Sequence, residues 1–120
     1  MIPGLHNFFI LIFLFSSSVF AEPIQKNYAT LKLLDKISNN VSEKNLEVDS
    51  SSLWGTLEVH IHACYSSPPD EVPENYVLLE IIDKLNNEKE FIYQGWMISS
   101  SPDVTPLEHP IYDLWLIECI

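Results

Sequence analysis

Leu57-Glu58-Val59-His60-Ile61-His62-Ala63-Cys64-Tyr65 alternates apolar and polar side chains residue by residue. A period of two is that of a half-buried β-strand, whose successive side chains point to opposite faces. Leu57, Val59, Ile61 and Ala63 are expected on one face, and Glu58, His60, His62 and Cys64 on the other. Downstream, Tyr76–Asp83 (YVLLEIID) is apolar on both sides at its centre, as in a strand covered on both faces. Glu90–Ile98 reads as its return strand after a hairpin turn at Asn86-Asn87, with Gly95 marking a bulge. Between these segments, Ser66–Asn75 holds three prolines and three acids in ten residues, which suits an ordered but irregular loop. Upstream, Ala29–Leu34 (ATLKLL) reads as a first strand, although Leu31–Ile37 could form a helical turn or two. Asp35-Lys36 and Ser38-Asn39-Asn40 are turn material, and the polar stretch Ser42–Ser52 holds a short strand at Asn45–Val48. A second long loop, Ser99–Pro110, precedes a last strand at Tyr112–Cys119. About six strands at this spacing, with no convincing amphipathic helix, predict a mainly β fold. The expected architecture is a small antiparallel β-sandwich or partly open barrel, as a single domain.

The start of the chain reads differently. Phe8–Phe15 is an unbroken apolar run, followed by Ser16-Ser17-Ser18 and then Val19-Phe20-Ala21 before Glu22. Val19 and Ala21 are the small residues that signal peptidase accommodates, so residues 1–21 are expected to be a signal peptide cut after Ala21. A run of eight residues, at about 1.5 Å rise, does not cross a hydrocarbon core of about 30 Å. No cysteine follows the cut, which disfavours a lipoprotein. Residues 22–120 then form one β-rich domain, placed in the periplasm, with secretion as the alternative. All six lysines and seventeen acids follow residue 21, so that part carries the whole net charge of −11. Nucleic acid and anionic lipid are bound by cationic patches, and neither is expected as a partner. Only two cysteines are present, and in an oxidising compartment an even count reads as a disulfide, Cys64–Cys119.

Chemistry-bearing residues are few. His60 and His62 lie about 6.6 Å apart along one strand face, a spacing from which both could reach one zinc. No second ligand pair at a recognisable spacing accompanies them, so no metal and no cofactor are expected. Ser99, Ser100, Ser101, Glu108, His109 and Asp113 contain the letters of a hydrolase triad, but the G-x-S-x-G nucleophile elbow is missing. The simpler role for His109 is hydrogen bonding within an ordered loop. Trp54, Trp96 and Trp115, with Tyr93 and Tyr112, are many rings for a small domain; such rings usually fill the core, a sugar-stacking platform being the functional alternative. Asp70, Glu71 and Glu74 lack EF-hand spacing.

The segments Gly55-Thr56-Leu57-Glu58-Val59, Ala63-Cys64-Tyr65 and Pro68-Pro69 resemble a known pattern. It continues in Gly95-Trp96-Met97, Ser100-Ser101-Pro102, Leu107-Glu108-His109-Pro110 and Tyr112-Asp113-x-Trp115-Leu116-x-x-Cys119. Over roughly Ala29 to Cys119 the chain resembles DUF2155, an alphaproteobacterial domain family. The resemblance implies an exported envelope protein of a Gram-negative bacterium, and it implies no activity, ligand or catalytic residue. In that family a basic residue often precedes the paired prolines, where this chain has Ser66-Ser67, and His60 and His62 are not part of the pattern.

A bridge between Cys64 and Cys119 would bring the C-terminal ends of two strands together, because bridged Cα atoms lie within about 7 Å. The proline-rich loop would leave from that end, and Ser99–Pro110 would reach the other end, near Trp54. Trp54, Gly55, Glu108, His109 and Tyr112 are therefore the candidate binding surface. The function expected is that of a non-enzymatic periplasmic binding or structural module, whose partner is an unidentified envelope protein or periplasmic ligand. The alternative is a small periplasmic hydrolase or metal-binding protein using His109 or the His60/His62 pair.

Overall fold

A computed structural model describes residues 21–85 and 90–120. Residues 1–20 of the expected signal peptide, and the hairpin turn expected at Asn86-Asn87, lie outside the described residues. Among the described residues there are eight strands and no helix: β1 (Ile24–Gln25), β2 (Tyr28–Asp35), β3 (Asn40–Glu47), β4 (Ser50–Trp54), β5 (Leu57–Ser66), β6 (Asn75–Asp83), β7 (Phe91–Ile98) and β8 (Tyr112–Cys119). They build two antiparallel sheets and no closed barrel. The larger runs β1-β5-β6-β7, with β4 also paired to β5; the smaller runs β3-β2-β8. Leu31–Ile37 is strand rather than helix through Asp35, because Leu31 and Leu33 alternate into the core.

The polar stretch after β2 holds two strands rather than the one short strand expected. Asn39 and Asp49 take positive φ angles of 59° and 64° and turn the chain on either side of β3. Asn and Asp tolerate that conformation better than other non-glycine residues. β3 reads as polar because all of it except Leu46 faces solvent. Thr30, buried, gives its hydroxyl proton to Asn45 Oδ1 at 2.7 Å and joins β2 to β3.

The core lies between the sheets and is filled by Leu31, Leu57, Val59, Ile61, Leu79, Ile81 and Leu116, among others. Strict alternation would leave both cysteines outside it. Two bulges turn them in. In β5, Ile61 pairs with Leu79 and Ala63 with Leu78, so His62 is an extra residue in the ladder. His62 and Ala63 are half-buried in succession, and Cys64 is fully buried. In β8, Leu116 pairs with Leu31 and Glu118 with Thr30, which makes Ile117 extra and returns Cys119 to the interior. The expected faces of β5 are thus correct as far as Ile61 and reversed beyond it.

Cys64 and Cys119 are bonded, with Cα atoms 5.7 Å apart, and the bridge ties the larger sheet to the smaller. Asn75 reinforces the same end by accepting the Cys119 N–H on its side-chain oxygen at 3.0 Å. β6 is fully covered on one face only; Leu78, Glu80 and Ile82 on the other are half-buried. Gly95 stands in the ladder opposite Leu79, and the bulge of β7 falls at Ile92 instead.

Candidate functional site

The β4–β5 turn places Gly55 at φ +62°, where an added Cβ would lie 2.7 Å from the Tyr112 hydroxyl. Glycine is needed here for both reasons. Tyr112 in turn stacks near His109, with ring centroids 5.2 Å apart. His109 Nδ1 accepts the N–H groups of Ile111 at 3.0 Å and Tyr112 at 3.2 Å. A nitrogen accepting two such bonds carries no proton, so the ring proton sits on Nε2, which donates to Asp83 Oδ2 at 2.8 Å. Burial pushes the Asp83 carboxyl up, but hydrogen bonds from His109 and the Leu85 N–H outweigh it and hold it below the ordinary aspartate value. Lys36 closes the corner, donating to the His109 carbonyl at 2.7 Å and pairing with Asp113 at 3.4 Å.

The expected surface of Trp54, Gly55, Glu108, His109 and Tyr112 is therefore a packed corner. Trp54 is 4% exposed, donates its indole proton to Ser42 Oγ at 3.1 Å and is covered by Lys44 5.3 Å from its ring. The His109 side chain is only 6% exposed, and both its nitrogens are engaged. Of the five residues, Gly55 and Glu108 alone are exposed. Asp83 is the partner that sequence reasoning missed, since nothing local links it to a residue 26 positions away.

The triad letters are not assembled. Ser99 and Ser100 both give their hydroxyl protons to Glu74, and Asp113 belongs to Lys36. Glu74 and Asp83 sit near opposite ends of β6, roughly 30 Å apart at 3.3 Å per residue. Burial raises the Glu74 carboxyl, yet the bonds from Ser100, Ser99 and the Asn75 N–H hold it below the ordinary glutamate value. Through this network the proline-rich loop meets the beginning of the second loop at the disulfide end, while the far end of the second loop reaches the His109 corner.

His60 and His62 have ring centroids 4.3 Å apart. His60 Nδ1 is 2.6 Å from Ser51 Oγ, and His62 Nε2 is 3.3 Å from a Glu80 oxygen without forming a hydrogen bond. Among the described residues no three His, Cys, Asp or Glu side chains are grouped to hold a metal ion.

One feature is neither buried nor internally satisfied. On the outer face of the larger sheet, Tyr65 pairs across strands with Tyr76, and Trp96 pairs with Leu78 one step further along. β1, hydrogen-bonded to the end of β5, brings Glu22 and Pro23 alongside. Together Glu22, Pro23, Tyr65, Tyr76 and Trp96 line an open groove of about 460 Å³ whose wall is almost entirely carbon. The Tyr65 and Trp96 rings are 6.1 Å apart, and Trp96 is 43% exposed. The sequence signal for Trp96 was its phase: it alternates with Met97, and the ladder gives Met97 to the core. Trp115, half-buried on the smaller sheet, is not part of this groove.

An antiparallel two-sheet domain, stapled at one end and bearing an apolar groove on an outer sheet face, is the class these features define. The chain belongs to the family described as "Uncharacterized protein conserved in bacteria (DUF2155)", matched over residues 29–119. It is similar to the "Uncharacterized protein RP359" of Rickettsia prowazekii (strain Madrid E), with 31% identity over 97 residues. That alignment covers 78% of this chain and 63% of the relative, so the chain spans less than two thirds of the relative's length. No solved structure matches.

Proposed function

We propose that this protein is a non-enzymatic periplasmic module that holds an envelope partner on the outer face of its larger sheet. The observation that carries this reading is the contrast between the groove and the polar clusters around His109 and Glu74. His109, Asp83, Glu74, Ser99 and Ser100 are consumed by internal hydrogen bonds, whereas the Tyr65–Tyr76–Trp96 groove offers exposed aromatic surface without a partner. Exposed apolar patches of this kind mark interaction sites. A sugar needs hydrogen-bonding groups converging around its hydroxyls, whereas the wall of this groove is almost entirely carbon, with the Glu22 carboxylate and the Tyr65 and Tyr76 hydroxyls as its polar side-chain groups. Apolar side chains of a polypeptide suit it better.

The apolar run Phe8–Phe15 with Val19-Phe20-Ala21, and a disulfide that persists in an oxidising compartment, support a periplasmic location. Recovery from the periplasm of a protein whose mass begins at Glu22 is the expected result; retention in the cytoplasm with Met1 intact overturns the placement. The binding reading is tested by affinity capture from the native envelope with wild type and Trp96→Ala. Trp96→Ala is expected to lose the captured partner while keeping its melting temperature. Undiminished capture by a folded Trp96→Ala protein overturns it.

A further inference from the structure

Sheets whose outermost strands are left open invite pairing by another chain, and folded proteins blunt such edges with charges, prolines, bulges or short length. Four of the outer strands here are protected in that way. β3 carries Glu43, Lys44 and Glu47, while β1 and β4 are only two and five residues long. β8 carries Asp113 and Glu118. β7, the last strand of the larger sheet, is different. Phe91-Ile92-Tyr93-Gln94-Gly95-Trp96-Met97-Ile98 contains no charge and no proline over eight residues. Its one protective device is the bulge at Ile92, which leaves Tyr93–Ile98 in regular register with β6. Phe91 and Trp96 are exposed on it, and an added Cβ at Gly95 would meet nothing within 4 Å.

We propose that β7 is a strand-addition site, at which an extended, cation-flanked segment of another protein adds to the larger sheet beside Trp96. This deepens the binding reading above and rests on it. Main-chain hydrogen bonds to the open edge would supply affinity, and alternate side chains of the added strand would lie along Gln94, Trp96 and the groove. Charge selects the occupant. The chain carries −11; Glu22 lines the groove, Glu80 pairs with Gln94 across the ladder, and Glu90 immediately precedes β7. Neither Glu22 nor Glu90 has a cationic partner among the described residues. A second copy would bring an equal negative charge to the edge, whereas lysines or arginines flanking an apolar segment meet complementary acids. The edge is held in reserve at one point, where the Tyr93 hydroxyl donates to the Trp96 carbonyl at 2.7 Å. An incoming strand would displace that bond.

The probe is a short synthetic peptide of alternating valine and threonine flanked by lysines, added to the full protein. Three companions are a glutamate-flanked peptide, a peptide N-methylated on alternate residues, and one with a central proline. Amide exchange across Phe91–Ile98 reports pairing. The lysine-flanked peptide is expected to slow those amides and to bind at least about tenfold more tightly than each companion. Gln94→Lys, at an exposed position, is expected to weaken binding about tenfold by placing a like charge on the edge. Tyr93→Phe is expected to tighten it severalfold, by about the net worth of one hydrogen bond. Equal binding of lysine- and glutamate-flanked peptides, or of the N-methylated peptide, overturns the proposal. So does a wild-type dimer that Gln94→Lys converts to monomer, since a second copy would then be the occupant. If Trp96→Ala abolishes envelope capture while the peptide leaves the β7 amides unprotected, the groove reading stands and strand addition fails.

Discussion

His109 shows how completely one side chain can be committed by its neighbours. Two backbone N–H groups fix the tautomer, and the remaining ring proton is directed at Asp83. Both nitrogens of the imidazole are engaged within the fold. Its work is to hold the approach of the second long loop against the turn at Gly55. Asp83 ionises below the ordinary value of 3.8. The stabilisation it gives is therefore full above that value and is lost as the pH falls through its lowered pKa. Asp83→Asn keeps an acceptor for His109 but removes the charge, and is expected to destabilise the domain by roughly 1–2 kcal/mol at neutral pH. The gap between wild type and variant should narrow as the pH falls below 3.8 and close once it has passed the lowered pKa, where the wild-type carboxylate is protonated as well. Urea unfolding at a series of pH values measures this; a gap that persists unchanged into acid would contradict it.

At the scale of elements, the bulges decide which residues meet. A one-residue slip sends every following side chain to the opposite face. In β5 the extra residue is His62, so the partners on either side of it are already in phase with β6. Deleting His62 straightens the strand and leaves Cys64 inward. The deletion protein is expected to fold, to form its disulfide, and to change in stability by no more than about 2 kcal/mol. Deleting Glu80 from β6 is expected to prevent folding, since that stretch has no spare residue and the phase of Val77 against Ile81 is broken. Thiol alkylation of the two purified proteins separates these outcomes, and free thiols in the His62 deletion would refute the phase argument.

For the whole molecule, the bridge is a large part of stability. It closes a separation of 55 residues between the two sheets, worth about 4 kcal/mol on the chain-entropy account. Domains of this size hold only about 5–15 kcal/mol in all. Replacing both cysteines with alanine is expected to remove about 4 kcal/mol, read as a lower urea midpoint. The loss should be matched by reducing the wild type. A variant whose midpoint equals that of oxidised wild type would show the two sheets to be held by packing alone.

The period of two in Leu57–Tyr65, with the apolar runs and turn residues around it, is enough to expect strands at β5, β6, β7 and β8 and to set the class of the fold, while β2 stays open between strand and helical turn. The apolar beat is missing from β3, where every residue but Leu46 faces solvent, and from β4, where the half-buried positions before Trp54 are serines. The candidate surface was half legible: the chain ends that carry Gly55, His109 and Tyr112 do meet. Burial of Trp54, the pairing of His109 with Asp83, the inward turn of both cysteines and the exposure of Trp96 were decided only by the tertiary structure. Each depends on the register between strands distant in sequence, and a bulge that shifts register takes its meaning from the partner strand rather than from the residues that form it.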